Sequence, residues 1–342
     1  MFNKKAFEIQ FNWIFVLVAG ALILLFFATV INRQRNVSET STKATVLKSI
    51  DAIITGSGVS SDTTSIIGIP DSNIEISCNR ISIGGVSKQY QNLILFAPGS
   101  VQGDKLVAQT LSFEAPFKAA NLMYLTSTKV RYIIIGNNQL ANEINRLLPS
   151  DVRKDIVASS SSIRNENNYK VRFIVFDNSD LTGIDLTKFP NSDVTALKVT
   201  GTLEKGNIEF YKKNRNSWSP KEDSVYLGKA SLLGAVYSDS LDVYKCNMKN
   251  TFSKLNLVTK VYHGRTTLLP TRLAEQQSTV SRQTSCDYAN ALQYFANIES
   301  RASASAESAN FDMGTITPIK DSSASLATEN SNLQRLSCPL IY

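Results

Sequence analysis

The chain has a single histidine among its 342 residues, His263 in the stretch KVYHGRTT. A metal site built on two imidazoles is therefore excluded, and a histidine-based nucleophilic triad would have to use this one residue. Its place beside Gly264 puts it at the expected end of a helix, where an imidazole caps carbonyls or meets the helix dipole. The four cysteines form no C-x-x-C pair, which argues against a zinc knuckle or a thioredoxin-type redox site. Neither G-x-G-x-x-G nor G-x-x-x-x-G-K-[ST] occurs. Gly56-Ser57-Gly58 and the stretch IIIGNNQLANEI (Ile133 to Ile144) are accordingly read as ordinary turns, the second leading from a strand into a helix, and not as phosphate cradles. Asp177, Asp180 and Asp185 of FDNSDLTGID fit no EF-hand spacing and read as turn formers. No catalytic residue, cofactor or metal ligand is expected.

A dense basic run is missing as well. The formal net charge is +7, yet the lysines and arginines are spread along the chain, and the tightest group is Lys212, Lys213 and Arg215. A nucleic-acid partner needs a concentrated cationic stripe. None is expected here, and the excess charge reads as a solvated basic surface.

Charge is lacking altogether from Trp13 to Ile31, 19 consecutive residues in which Thr29 is the one clearly polar side chain. About 20 such residues cross a bilayer as a helix, because every backbone amide must find its partner inside the segment. The run exceeds the roughly 7–15 apolar residues of a cleaved secretory signal, and no A-x-A-like triplet follows Ile31. The expectation is a permanent single-pass signal-anchor, with a cytoplasmic tail at 1–10 and a transmembrane helix at 11–31. Lys4 and Lys5 precede it, Trp13 supplies an interfacial ring, and Arg33 and Arg35 snorkel on the far side. The bilayer is thus one expected partner, and other envelope proteins are a second.

The basic residues on the two sides nearly balance, so orientation rests on the cysteines. Cys78, Cys246, Cys286 and Cys338 all follow the span, and an even number at wide spacing suits two disulfides in an oxidising compartment. The bulk of the chain is therefore expected outside the cytoplasm. Of the three possible pairings we favour Cys246 with Cys286, since a helical hairpin could bring both together, which leaves Cys78 with Cys338.

After a polar stretch at 32–43, readable as a linker or a continued helix end, an α/β domain is expected over 44–225. Val46, Leu47, Ile50, Ile53 and Ile54 have helical rhythm up to Gly56. Ile74, Ile76, Cys78, Ile81 and Ile83 alternate as strands do. The pattern then predicts a short helix at Ala119 to Leu125, a strand at Val130 to Ile135, a helix from about Asn138 to Leu148 stopped by Pro149, and a hairpin around Gly201 to Gly206. Residues 226–300 read as helical. The Ser/Ala-rich segment 301–332 has too few large apolar residues to offset its ordering entropy, and is expected to be a flexible loop. The last ten residues, 333–342, regain hydrophobicity and a cysteine, as a segment tied to the core would. The fold class is α+β with at least five strands.

Four segments carry a resemblance: FEIQFNWIFVLVAGALIL, the Ile74 to Cys78 strand, APFKAANLMYL and LLGAVYSDSLDVYKCNMK. In the same order they resemble a group of uncharacterised single-pass membrane proteins from small-genome archaea. The resemblance implies membrane anchoring and a shared architecture, and no chemistry. The N-terminus also resembles archaeal pilin-like proteins, with Lys5-Ala6-Phe7 as the processing junction, although Glu8 stands where that pattern has a small or aliphatic residue. The function expected is an anchored extracytoplasmic binding or structural scaffold. A pilin-like filament subunit is the first alternative, and a membrane-tethered hydrolase or nucleotide-binding enzyme the second.

Overall fold

The computed structural model describes residues 4–57, 60–90, 93–164, 166, 168–176, 181–277, 286–308 and 311–342. Its first element is one helix, α1 (Lys4–Ser57). Between Ala21 and Thr55 the sequence contains neither glycine nor proline, so nothing interrupts the hydrogen-bond ladder where the apolar run gives way to polar residues. The stretch 32–43 is accordingly helix throughout. Past it, Val46, Leu47 and Ile50 lie on one face and are buried against a sheet, and Asp51 pairs with Lys88 at 2.6 Å.

That sheet has the order β3-β2-β1-β5-β6-β4, with β1 Thr64–Ser77, β2 Arg80–Ile83, β3 Val86–Gln89, β4 Leu95–Phe96, β5 Ser100–Glu114 and β6 Lys118–Ser127. Pairing is antiparallel except between β4 and β6. Gly84 and Gly85 turn β2 into β3 with φ of 51° and 88°, values a two-residue hairpin of this hand requires and glycine supplies without strain. The helix expected at Ala119 to Leu125 is instead β6. Its residues favour helix locally, but tertiary packing overrides them: Leu122 and Tyr124 enter one core while Met123 and Leu125 enter the other.

The second sheet runs β12-β11-β10-β9-β7-β8, with β13 on β11. Its strands are β7 Val130–Ile135, β8 Arg153–Val157, β9 Lys170–Phe176, β10 Asp193–Gly201, β11 Lys205–Asn214, β12 Ser217–Trp218 and β13 Glu222–Leu227. The quartet β8-β7-β9-β10 is parallel, and α2 (Gln139–Leu147) makes the crossover from β7 to β8. Asn138 accepts from the Ala141 amide at 2.7 Å and so starts that helix where its sequence placed the start. The β10–β11 hairpin turns between Gly201 and Gly206, also as expected. The architecture is thus α+β, with six α-helices and thirteen strands among the described residues.

The C-terminal part is α3 (Gly228–Tyr237), α4 (Leu241–Gln277), α5 (Ala289–Ser308) and α6 (Met313–Arg335). The flexible loop expected at 301–332 is corrected: its described residues form the end of α5 and most of α6. Its apolar residues are few but fall at helical spacing, with Ile316, Ile319 and Leu326 fully buried, and its small residues let the helices approach, as Ala302 and Ser305 show. Asn297 donates to the Ser322 hydroxyl at 2.8 Å across the α5–α6 contact. One core joins this helical layer to both sheets. The chain end is held there too, with Ile341 fully buried.

The cysteine pairing also needs correction. Cys78 bonds Cys246 and Cys286 bonds Cys338, with Cα separations of 6.0 and 5.9 Å. The beginning of α4 lies beside the β1–β2 turn, where Asn250 donates to Asn79 at 3.0 Å. Cys286 leads into α5 beside the C-terminal tail, where the Tyr288 hydroxyl donates to the Pro339 carbonyl at 3.0 Å.

Candidate functional site

Strand β9 reads KVRFIVF, and alternation sends Val171, Phe173 and Val175 into one core and Ile174 and Phe176 into the other. Lys170 and Arg172 share the second face and are only 2% and 3% exposed. Two cations so deep need partners. Arg172 donates from Nη2 to the Ala235 carbonyl at 3.0 Å and from Nε to Val236 at 3.4 Å, which caps the last turn of α3 with a positive charge. Its guanidinium lies 5.3 Å from the centre of the Phe210 ring. Burial pushes its pKa down to about 10, and Asp239 opposes the shift.

Lys170 Nζ lies 2.7 Å from Asp239 Oδ2 and 3.0 Å from Asp193 Oδ2. Burial alone would lower the lysine, but the two carboxylates more than offset it and hold the ammonium above its ordinary value. Asp239 Oδ1 accepts the Gly99 amide at 3.0 Å, and the Tyr169 hydroxyl donates to the Ser100 carbonyl at 2.7 Å. The α3–α4 turn is thereby tied to both sheets at once.

Around this node stand buried tyrosines. Tyr237 lies 5.3 Å from Tyr124 and 5.7 Å from Tyr132, ring centre to ring centre. Their hydroxyls bond Gln109, Ala230 and Thr126 respectively, and Tyr244 bonds the Val225 carbonyl. Burial raises the pKa of all four well above the usual phenol value.

Chemically the node offers no nucleophile: Lys170 meets two carboxylates and stays protonated, and the tyrosines stay neutral. Arg172 rests on two backbone carbonyls, with its Nη1 buried and without a hydrogen-bond partner among the described residues. A second network joins the buried Arg131 to Asp155 at 2.6 Å and to the Arg164 carbonyl at 3.1 Å. A cleft of about 370 Å³ opens beside Asp193, lined by Lys213, Arg215 and Asn216. Lys213 already donates to the Phe189 carbonyl. Among the described residues no group of three or more His, Cys, Asp or Glu could hold a metal ion.

The residues singled out in the sequence lie elsewhere. Trp13 is 72% exposed and Arg33 is exposed, and the window Val16–Gln34 is long and apolar enough to cross a membrane, with none of it buried in the protein. The side chains of Lys4, Lys5, Glu8 and Arg35 lie outside the described ones, as do residues Asp177 and Asp180. Asp185 caps a short 3₁₀ turn by accepting from the Thr187 amide at 3.1 Å. His263 is corrected: it sits inside α4, which continues through Gly264 and Pro270 to Gln277, and its Nδ1 faces Glu299 of α5 at 3.2 Å. Packing against α5 keeps the helix going where local residues would end it.

The parallel quartet places its change of strand order between β7 and β9, whose carboxyl ends are where open sheets of this kind hold ligands. Gly136 and Asn138 line the β7 side. The β9 side falls at 177–180, outside the described residues.

Sequence reasoning missed Lys170, Arg172 and Asp239. The usable signal was two charges at alternate positions of an otherwise apolar strand, since such charges are either at an edge or paired. Comparison with protein families, with curated proteins and with solved structures found no match to this chain.

Proposed function

We propose that the protein is a membrane-anchored scaffold whose disulfide-bonded head stands outside the cytoplasm and presents its surface to other envelope proteins. The observation that carries this reading is α1. Its exposed apolar window would be costly in water, and the same unbroken helix buries Val46, Leu47 and Ile50 in the head. A helix of 54 residues spans roughly 80 Å at 1.5 Å per residue, so span and head are joined by a rigid rod. Two disulfides support an oxidising side. The mechanism is positional: holding the head at a surface raises its effective concentration toward partners in the same layer.

Fractionation tests the anchor, and protease protection tests the orientation. The chain should enter the membrane fraction, resist carbonate extraction, and lose its head to protease added from the extracytoplasmic side. Recovery in the aqueous fraction without detergent refutes the anchor. Digestion from the cytoplasmic side alone reverses the topology.

A filament subunit is the second reading, and the continuity of α1 favours it. Copies of an apolar rod could shield one another as lipid would. Sequencing the mature N-terminus separates the two, because a processed subunit begins at Phe7 and a plain anchor retains Lys4 and Lys5.

A further inference from the structure

The outer face of α4 carries a stripe that the described residues leave uncovered. Leu257, Val261 and Leu268 are 57%, 63% and 53% exposed, and Gly264 lies between them, exposed. The spacing is four, three and four residues, the alternation of a and d positions along a coiled-coil seam, and the stripe is only one residue wide. The opposite face of the same helix, through Phe252, Leu255 and Thr259, is the one buried in the core. Among the described residues nothing requires a glycine at 264: a Cβ there would meet nothing within 4 Å, and its φ is not in the left-handed region. A glycine inside a helix is unfavourable relative to alanine. Here it opens a hole in the middle of the seam.

Charge narrows the occupant. From Val243 to Ala274 the helix has no aspartate or glutamate, while Lys254, Lys260, Arg265 and Arg272 fall beside the seam. Glu275 ends the run three residues past Arg272, and among the described side chains Glu299 of α5 lies 4.0 Å from Lys260 and already faces His263. A second copy docked on this face would bring cations onto cations. A bilayer surface calls for a broad apolar face, which this stripe is not.

We propose that the outer face of α4 docks an acidic amphipathic helix of a partner protein, whose apolar knob fills the hole at Gly264 and whose carboxylates meet Lys260 and Arg265. This deepens the scaffold reading and rests on it, since it names what the head binds.

The test uses the full chain in nanodiscs of zwitterionic lipid, or in buffer should it prove soluble, so that failure of the anchor is scored separately from failure of docking. The probe is a synthetic 21-residue helix with leucine at the seam positions and glutamate beside them. Its control carries lysine in place of glutamate. Binding of the acidic peptide at least tenfold tighter than the control, weakening with salt, is the expected result. In addition, Val261→Asp, Gly264→Trp and the pair Lys260→Glu with Arg265→Glu should each lower affinity tenfold or more. All of these positions are exposed, and an unchanged melting curve confirms that each variant folds. Equal binding of both peptides, or variants that bind as the parent does, overturns the proposal. So does protection of Lys254 and Lys260 from acetylation by anionic nanodiscs alone, or concentration-dependent self-association abolished by Val261→Asp.

Discussion

Asp239 links two layers with its two oxygens: Oδ2 lies 2.7 Å from Lys170 Nζ on β9, and Oδ1 accepts the Gly99 amide just before β5 at 3.0 Å. Replacing it by asparagine leaves a buried ammonium with Asp193 as its remaining carboxylate. Breaking one partner of a buried pair costs several kcal/mol, and the surviving partner moderates the loss. Asp239→Asn should therefore destabilise by about 2–4 kcal/mol, read by denaturant unfolding. Adding Lys170→Met to it should cost less than the sum of the two changes, because the lone charge is then gone.

Disulfide mapping under non-reducing conditions should recover the Cys78 peptide joined to that of Cys246, and the Cys286 peptide joined to that of Cys338. The separations are 168 and 52 residues. In the chain-entropy picture these closures are worth about 5 and about 4 kcal/mol. Cys246→Ser should accordingly lower stability more than Cys338→Ser. Equal losses would show that enthalpy or residual structure governs instead.

Stability should fall steeply above about pH 10. The phenols of Tyr124, Tyr132, Tyr237 and Tyr244 are raised by burial, and Lys170 is held up by its carboxylates. Each therefore keeps its proton in the folded state at a pH where the unfolded chain loses it. The stabilisation is complete below the unfolded values and is lost as pH rises through the folded ones, at about 1.4 kcal/mol per unit for each group. Arg172, lowered to about 10, works in the opposite direction but is a single group. Melting temperature against pH from 8 to 12, with tyrosinate absorbance as the second readout, checks the sign.

Two glycines in neighbouring helices should respond oppositely to alanine. At Gly234 in α3 an added Cβ would lie 2.8 Å from Phe96, whose ring is fully buried, so Gly234→Ala should cost about 1–3 kcal/mol by overpacking. At Gly264 in α4 there is open space, and Gly264→Ala should stabilise by about 0.5–1 kcal/mol. Thermal unfolding of the two variants decides both.

Legibility followed how local the determining interaction was. Strand β7 and helix α2 could be read closely because an apolar run, a glycine, an asparagine cap and Pro149 stand within 20 residues of one another. Strand β6 could not, since alanine, leucine and methionine favour helix and only the two cores on either side demand an extended chain. Helix α6 was hidden for the opposite reason: its large buried side chains are few, and between them it buries Ser322 and Ser323, whose contribution depends on how near α5 comes.

By itself the sequence determined the apolar rod, the mixed α and β character, and the exclusion of two-histidine metal chemistry, because each follows from residue type and spacing along the chain. Only the tertiary structure decided which cysteines meet, that His263 lies within a helix, and that Lys170 and Arg172 converge on the α3–α4 turn. Those outcomes depend on segments 36 to 168 residues apart arriving at one place, and no local preference encodes where a distant strand or helix comes to rest.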